Sequence, residues 1–177
     1  MRYTDYAGAL DAITAGMEIT RVEFKDMPVA VVGAGGVSRA IVAGLSDAGA
    51  EVKIYNRTLE KAERLAAEFD CEFAPLSELP NLDAKLVINC TSIGMHPKVD
   101  ATPVPQESLK PNMAVFDTVY NPAQTLLLKQ AESKGAKTID GISMFVNQAM
   151  AQFRLFTNAD ENAELMRKTV LEQLTKT

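Results

Sequence analysis

The chain has 177 residues, of which 47% are hydrophobic and 23% charged, and its formal net charge at pH 7 is −5. That composition is typical of a folded domain, and the acidic balance argues against a surface for nucleic acid or for an anionic membrane. Two Cys and one His leave no disulfide framework and no metal site, and no apolar run approaches the roughly 18 residues of a transmembrane helix. We therefore expect a cytoplasmic protein of one ordinary domain.

Short apolar strands alternate with helical segments along nearly the whole chain. The predicted strands are 29–32, 51–55, 71–73, 85–90, 113–117 and 137–140, and the predicted helices are 6–16, 37–48, 59–69, 124–134, 143–156 and about 160–174. Strands this short and this apolar are typical of a parallel sheet that helices cover on both faces. Residues 95–111 contain four prolines and are predicted to form a long loop, with a short helical turn near 106–109.

The loop after the first strand has the spacing Gly33-x-Gly35-x-x-Ser38. Gly33 permits a tight turn, and Gly35 lets the backbone approach a pyrophosphate that faces the positive end of the next helix. The alternative is a glycine-rich turn that binds nothing. With the alternation of elements, this loop predicts a doubly wound, Rossmann-like α/β fold: a parallel sheet of about six strands in the order 3-2-1-4-5-6, with helices on both faces. The loop residues predicted to bind a dinucleotide are Gly33, Ala34, Gly35, Gly36 and Val37.

The end of the second strand indicates which dinucleotide would bind. NAD-binding sites usually place a carboxylate there, where it accepts a hydrogen bond from the ribose 2′-OH. This chain instead has Asn56, Arg57 and Thr58, followed by Lys61 one turn into the next helix. Arg57 can pair with a 2′-phosphate, Asn56 or Thr58 can hydrogen-bond to it, and Lys61 adds positive charge. The pattern predicts NADP as the cofactor; the alternative for Arg57 is an ordinary solvated side chain.

Later segments of the chain carry further motifs. Residues 89–97 read Asn-Cys-Thr-Ser-Ile-Gly-Met-His-Pro, residues 116–122 contain Asp-x-x-Tyr-Asn-Pro, and residues 140–148 contain Asp-Gly-x-x-Met-x-x-x-Gln. With the segments 31–36 and 55–58, these motifs resemble the NADP-binding domain of the shikimate dehydrogenase family over nearly the whole chain. Glutamyl-tRNA reductases have a similar loop and Asn-Arg-Thr, but the later motifs count against that family.

The N-terminal residues resemble the segment that ends the family's substrate domain. Thr4 and Asp5 match its Asn-Thr-Asp motif, whereas Tyr3 stands where the family usually has Asn. The Tyr that follows Asp5 resembles the bifunctional dehydroquinate dehydratase–shikimate dehydrogenases. The resemblance therefore implies a helix and linker from a substrate domain in residues 1–22 and an NADP-binding domain in residues 23–177. The family's catalytic Lys and its carboxylate-binding Ser residues lie in that substrate domain, to which nothing in this chain corresponds.

The resemblance implies an oxidoreductase of aromatic amino-acid (chorismate) biosynthesis that reversibly reduces 3-dehydroshikimate to shikimate with NADPH. Asp5 would be catalytic, because it would bind a ring hydroxyl and hold the missing Lys; a helix N-cap is the alternative. Tyr120 and Gln148 would bind the substrate, although a semi-buried core Tyr and a Gln that faces the absent domain fit the same positions. Thr118 and Gly141 would line the nicotinamide.

Two other functions stay open on the sequence. One is a quinate/shikimate dehydrogenase, since the residues that would bind the substrate carboxylate are absent; the other is a non-catalytic NADP-binding module. Neither His96, in a loop before Pro97, nor Cys90, at a strand end, is expected to be catalytic. For the enzyme we expect a substrate domain supplied in cis or in trans, no nucleic-acid or membrane partner, and almost no shikimate oxidation by this chain alone.

Overall fold

A central sheet organises the molecule, for which a computed structural model describes residues 2–157 and 162–174, with side chains from Tyr6 onward. Its strands are β1 (Pro28–Val32), β2 (Glu51–Asn56), β3 (Glu72–Pro75), β4 (Leu86–Asn89), β5 (Ala114–Asp117) and β6 (Lys137–Ile139). Their order across the sheet is β3-β2-β1-β4-β5-β6, and every neighbouring pair is parallel. The predicted doubly wound order is confirmed.

The α-helices each lie where the sequence predicts a helix. They are α1 (Arg2–Met17), α2 (Gly36–Asp47), α3 (Leu59–Phe69), α4 (Leu126–Ser133), α5 (Gly141–Thr157) and α6 (Ala163–Leu174). The 3₁₀-helices Arg21–Phe24 and Leu76–Asn81 are not predicted, because so short a segment has too few residues to show a hydrophobic period. The 3₁₀-helix Gln106–Ser108 lies where a helical turn is predicted.

Apolar side chains on the two faces of the sheet form two separate cores. Along β1, Val29 and Val31 belong to the core that α1, α2, α3 and α5 complete, whereas Ala30 and Val32 belong to the core that α4 completes. All four side chains are buried. Because helices cover both faces, the strand has no polar side, and this explains its continuous apolar run. Removal of these side chains from water is the main stabilising contribution to such a fold.

Helix α1 packs against α2 and α5. Its residues Ala9, Leu10 and Ile13 are buried in the core. Gly44 on α2 allows the close approach, because a Cβ there would lie 2.8 Å from Leu10 Cδ1. The first helix is thus part of the packed layer on one face of the sheet. The domain boundary that the resemblance implies after residue 22 stays a prediction.

The described ranges contain no helix that is both long and apolar enough to cross a membrane. Within those same ranges, no group of three or more His, Cys, Asp or Glu side chains is arranged to hold a metal ion. The two cysteines, Cys71 and Cys90, are free thiols.

Candidate functional site

Two clefts open at the carboxyl-terminal edge of the sheet. The Arg57 cleft, beside β1 and β2, has a volume of about 240 Å³ and is lined by Val32, Gly33, Asn56, Arg57, Leu76, Thr91, Ser92, Ile93 and Pro103. The Tyr120 cleft, beside β5, has a volume of about 250 Å³ and is lined by Val37, Thr118, Tyr120, Gly141, Met144, Phe145 and Gln148. Open α/β sheets bind ligands at this edge, where the strand order reverses between β1 and β4.

Larger clefts lie elsewhere in the described part of the chain. One, of about 610 Å³, is at the opposite, amino-terminal edge of the sheet, and another, of about 600 Å³, lies among α1, β6, α5 and α6. Neither contains a residue that the sequence assigns to cofactor or substrate. We take the two smaller clefts as the candidate site because both lie where helix N-termini and strand ends converge.

The glycine loop closes the Arg57 cleft and leads into α2. Gly33 has φ 114°, and a Cβ there would lie 3.0 Å from Thr91 Cγ2, so only glycine fits. At Gly35 and Gly36 a Cβ would meet nothing within 4 Å, which leaves open space above the loop. The first amides of α2 have no acceptor within the helix, and the helix dipole favours an anion there. The loop therefore has the room and the polarity that a pyrophosphate needs.

The end of β2 and the start of α3 form a basic rim on the Arg57 cleft. Asn56 Nδ2 donates to Thr58 O at 2.8 Å and so fixes the turn between the strand and the helix. Thr58 is the N-cap of α3, yet its side chain makes no capping hydrogen bond. Arg57 and Lys61 are exposed and form no ion pair within the described part of the chain. Two cations and a helix N-terminus thus face solvent at one end of the cleft.

The Tyr120 cleft is formed by the loop after β5 and the first turns of α5. A Cβ at Gly141 would lie 2.5 Å from Val119 O and 2.7 Å from Thr118 O, so the absence of a side chain lets the loop rest on the helix start. The Tyr120 ring packs against Phe145, with ring centroids 5.1 Å apart and planes tilted by 30°. Gln148, one turn farther along α5, completes the wall.

Asp140 caps the start of α5 and binds the last helix. Its Oδ1 accepts hydrogen bonds from Ser143 N at 2.8 Å and Ser143 Oγ at 2.9 Å, and its Oδ2 accepts one from Arg167 Nη2 at 2.6 Å. Partial burial opposes ionisation of Asp140, but the hydrogen bonds and charge of Arg167, with those from Ser143, outweigh it and lower the pKa of the carboxyl. The ion pair holds α6 against α5, the helix whose first turns line the Tyr120 cleft.

Buried polar side chains lie beneath both clefts. Asn89 and Asp117, the last residues of β4 and β5, are fully buried and hydrogen-bonded to each other at 2.9 Å. Burial raises the pKa of the Asp117 carboxyl, against the opposing effect of its hydrogen bonds. Burial also raises the pKa of the Cys90 thiol to about 12, so at neutral pH this cysteine is a protonated packing group rather than a nucleophile.

The predicted site residues divide between the two clefts. Gly33, Asn56 and Arg57 line the Arg57 cleft; Ala34 and Gly35 form the loop that leads to Gly36, the first residue of α2; and Val37, Thr118, Tyr120, Gly141 and Gln148 line the Tyr120 cleft. Thr58, the N-cap of α3, and Lys61, in the first turn of that helix, follow Arg57 in the chain and are not among the lining residues. Asp5 lies on α1, but its side chain is outside the described residues.

Several lining residues are not predicted from the sequence. Thr91 and Ile93 follow β4, and their place could have been inferred because β4 is the strand next to β1 at the reversal of strand order. Phe145 precedes Gln148 by three residues, a spacing that puts both on one face of a helix. Leu76 had no such signal, because it belongs to an unpredicted 3₁₀-helix.

Comparison with known protein families gives two matches that together span most of the chain. Residues 15–118 match the model of the Shikimate / quinate 5-dehydrogenase family, and residues 141–171 match that of the Shikimate 5′-dehydrogenase C-terminal domain. The two matches contain the lining residues of both clefts except Tyr120, which lies between the matched ranges.

Individual proteins show the same similarity. The shikimate dehydrogenase (NADP(+)) of Methanosarcina mazei is 44% identical over 180 residues, covering 97% of this chain and 63% of that protein. The structure of shikimate 5-dehydrogenase from Thermus thermophilus in complex with NADP(H) and shikimate matches with a TM-score of 0.83 at 34% identity, over 97% of this chain and 62% of that one. Quinate dehydrogenase from Corynebacterium glutamicum in complex with NAD gives 0.85 at 30% identity, over 96% and 62%. The chain thus spans under two thirds of the length of these relatives.

Proposed function

Because this chain belongs to the shikimate / quinate 5-dehydrogenase family, we propose that it is the NADP-binding part of an enzyme that reversibly reduces 3-dehydroshikimate to shikimate. The observation that carries the proposal is the basic rim of the Arg57 cleft, which places Arg57 at the end of β2 where an NAD-binding site has a carboxylate. When bound, NADPH supplies the hydride. The protein's part is to bind, orient and protonate.

The Arg57 cleft would hold the adenosine end of the cofactor. Arg57 presents a planar fork that matches a phosphate, and Lys61 adds a second cation one turn along α3. The Thr58 hydroxyl, which does not cap its own helix, can donate to the same 2′-phosphate. Asn56 holds the turn in place. The open space over Gly35 and Gly36 and the N-terminus of α2 would hold the pyrophosphate.

The Tyr120 cleft would hold the nicotinamide end and one wall of the substrate site. Thr118 and Gly141 would line the nicotinamide ribose and amide. Gly141 permits the loop after β5 to pack closely on α5, which places Thr118 beside the start of that helix. The Tyr120 phenol and the Gln148 amide would hydrogen-bond to ring hydroxyls of the substrate. We propose, from the resemblance, that Asp5 binds a substrate hydroxyl and orients the catalytic Lys of a substrate domain.

The substrate domain itself is proposed to act in cis or in trans with this chain. The resemblance assigns residues 1–22 to the helix and linker that join that domain and residues 23–177 to NADP binding. Support comes from the length comparison, in which the chain spans 63% of its Methanosarcina mazei relative. Orientation of reactants contributes roughly 7–11 kcal/mol to catalysis, so this chain alone should oxidise shikimate hardly at all.

A quinate dehydrogenase is the second candidate. It is favoured by the similarity to the Corynebacterium glutamicum quinate dehydrogenase, whose structure contains NAD. The basic rim distinguishes the two, because NAD has no 2′-phosphate for Arg57 to bind.

Titration of NADP and NAD into wild-type protein and Arg57→Ala tests the proposal. Loss of the guanidinium should weaken NADP binding about 10- to 100-fold, the loss expected for hydrogen bonds to a charged group, and should leave NAD affinity nearly unchanged. Arg64→Ala is the matched control, since it removes the same charge farther along α3. Equal weakening of NADP and NAD by Arg57→Ala would assign Arg57 a packing role and overturn the proposal.

A further inference from the structure

Asn89 and Asp117 form a buried polar pair between the two clefts. They are paired in register as the last residues of the adjacent strands β4 and β5. Both side chains are fully buried, and Asn89 Nδ2 donates to Asp117 Oδ1 at 2.9 Å. Neither residue lines the Arg57 cleft or the Tyr120 cleft, and no predicted role includes either of them. Each nevertheless makes hydrogen bonds to the loop that follows its strand.

Asn89 connects the pair to the Arg57 cleft. Its Oδ1 accepts hydrogen bonds from Thr91 N at 2.9 Å and from Thr91 Oγ1 at 2.7 Å. The Thr91 hydroxyl in turn accepts one from Ile93 N at 3.1 Å. Thr91 and Ile93 both line the Arg57 cleft, and Thr91 also packs behind Gly33. A shift of Asn89 would therefore move the wall of that cleft.

Asp117 connects the pair to the Tyr120 cleft. Its Oδ1 accepts from Val119 N at 3.0 Å, and its Oδ2 accepts from the hydroxyl of Thr125, the buried N-cap of α4, at 2.7 Å. The Asn89 carbonyl accepts from both Thr118 N and Thr118 Oγ1. Thr118 lines the Tyr120 cleft, and the Val119 carbonyl packs on Gly141. The same pair thus positions the loops of both clefts.

We infer that the Asn89–Asp117 pair is a positioning unit that couples the two clefts, so that ligand binding in one is sensitive to the hydrogen bonds of the other. The inference rests on the proposed NADP function. A continuous chain of hydrogen bonds runs from Thr125 through the pair to Thr91. Residues in one hydrogen-bond network interact energetically even when its two ends do not touch.

A double-mutant cycle tests the coupling, with adenosine 2′,5′-bisphosphate as a probe that reaches the Arg57 cleft alone. Thr91→Val should weaken its binding about fivefold, the loss expected for one hydrogen bond. Thr125→Val, on the far side of the pair, should weaken it about threefold although Thr125 does not line that cleft. The double variant should lose less than the product of the two factors, because the second substitution acts on a pair that is already displaced.

Two further variants serve as controls. Thr125→Ser retains the hydroxyl and should retain wild-type affinity. Thr14→Val removes a hydroxyl that donates to Asp11 O on α1, away from both clefts, and should change nothing. Circular dichroism at the titration temperature establishes that each variant is folded. An unchanged affinity in Thr125→Val, or a double variant equal to the product of its singles, would overturn the inference.

A measurement on wild-type protein applies even if a Val variant does not fold. Hydrogen exchange of the Val119 amide, which donates to Asp117, should slow about fivefold when adenosine 2′,5′-bisphosphate fills the Arg57 cleft, the factor that corresponds to a coupling of about 1 kcal/mol. Protection confined to amides of the Arg57 cleft would show that the pair transmits nothing. Failure of wild-type protein to bind the bisphosphate or NADP would instead refute the proposed function.

Discussion

Asp117 is the last residue of β5 and Asp140 directly follows the neighbouring strand β6, so both lie at the same edge of the sheet, yet their surroundings differ. Asp117 is fully buried, and among the described residues its hydrogen-bond donors are neutral: the Asn89 amide, the Val119 N–H and the Thr125 hydroxyl. The Asp140 side chain is 26% exposed and is paired with Arg167. Asp117 joins loops inside the fold, whereas Asp140 joins α6 to the start of α5 at the surface.

The pKa values of the two carboxyls consequently shift in opposite directions. Burial raises the pKa of Asp117, since three neutral donors only partly replace the lost water. Partial burial is outweighed at Asp140 by Arg167, and the pKa of that carboxyl is lowered. Both residues are Asp at the same edge of the sheet, so the difference shows that burial and partners together decide whether ionisation favours or disfavours the folded state.

The largest expected effect is the loss of Asp117. Asp117→Ala leaves the Asn89 amide, the Val119 N–H and the Thr125 hydroxyl without their acceptor inside the core. Each buried donor left unpaired costs about 1–3 kcal/mol, and entry of water recovers part of the sum, so we expect a loss of about 3–5 kcal/mol in the free energy of unfolding. Urea unfolding measures it, with Asp83→Ala, an exposed Asp, as the control. A loss no greater than that of the control would show that the network stabilises nothing.

A smaller effect is expected for the partner of Asp140. Arg167→Met keeps much of the length of the side chain but removes the guanidinium that binds Asp140 Oδ2. Because the Arg167 side chain is 40% exposed, water screens the pair, and we expect a loss of about 1–2 kcal/mol rather than the full strength of a charged hydrogen bond. Thermal or urea unfolding measures it.

Lys168→Met is the matched control for Arg167→Met. It removes a cation from the adjacent position of α6, where the Lys forms only a 3.9 Å pair with Glu172 on the same helix. It should leave stability almost unchanged, as is usual for exposed pairs. Equal losses in the two variants would mean that α6 is sensitive to any loss of charge and that Asp140 has no special part in holding it.

The contrast between the two carboxylates also marks the limit of prediction from sequence. The strand order, the glycine loop and the basic rim around Arg57 follow from local patterns, because each depends on residues close together in the chain. The Asn89–Asp117 contact joins residues 28 apart and depends on the register of β4 against β5, which no local pattern states. The Asp140–Arg167 pair likewise depends on how α6 folds back after a loop. Sequence therefore predicts residues that line the two clefts better than the buried groups that hold the clefts in place.

The pH dependence of stability should separate the two carboxyls. The pKa of an Asp in the unfolded chain is about 3.9, and the pKa of Asp140 in the folded protein is lower. The stability that the Asp140–Arg167 pair contributes is therefore present above about pH 4 and is lost as the pH falls through the lowered pKa. Urea unfolding from pH 7 to pH 2.5 should show wild-type protein and Arg167→Met converging at the acid end. A constant difference between them across that range would mean that the pair does not titrate.

The smallest effect is expected for Asp117→Asn, which keeps the shape of the side chain and removes its charge. The amide oxygen can still accept from Asn89 and Val119, and the amide nitrogen can donate to the Thr125 hydroxyl, so the change at neutral pH should be about 1 kcal/mol or less. Burial raises the folded pKa of the Asp117 carboxyl above its unfolded value. The stability that the protonated carboxyl contributes is therefore fully present below about pH 3.9, and it is lost as the pH rises through the folded pKa. Relative to wild type, Asp117→Asn should therefore become more favourable as the pH rises from 3 to 7. The difference in unfolding free energy between Asp117→Asn and wild type could instead stay constant or move the other way. Burial would then not disfavour the charged form of Asp117, and the contrast between Asp117 and Asp140 would not hold.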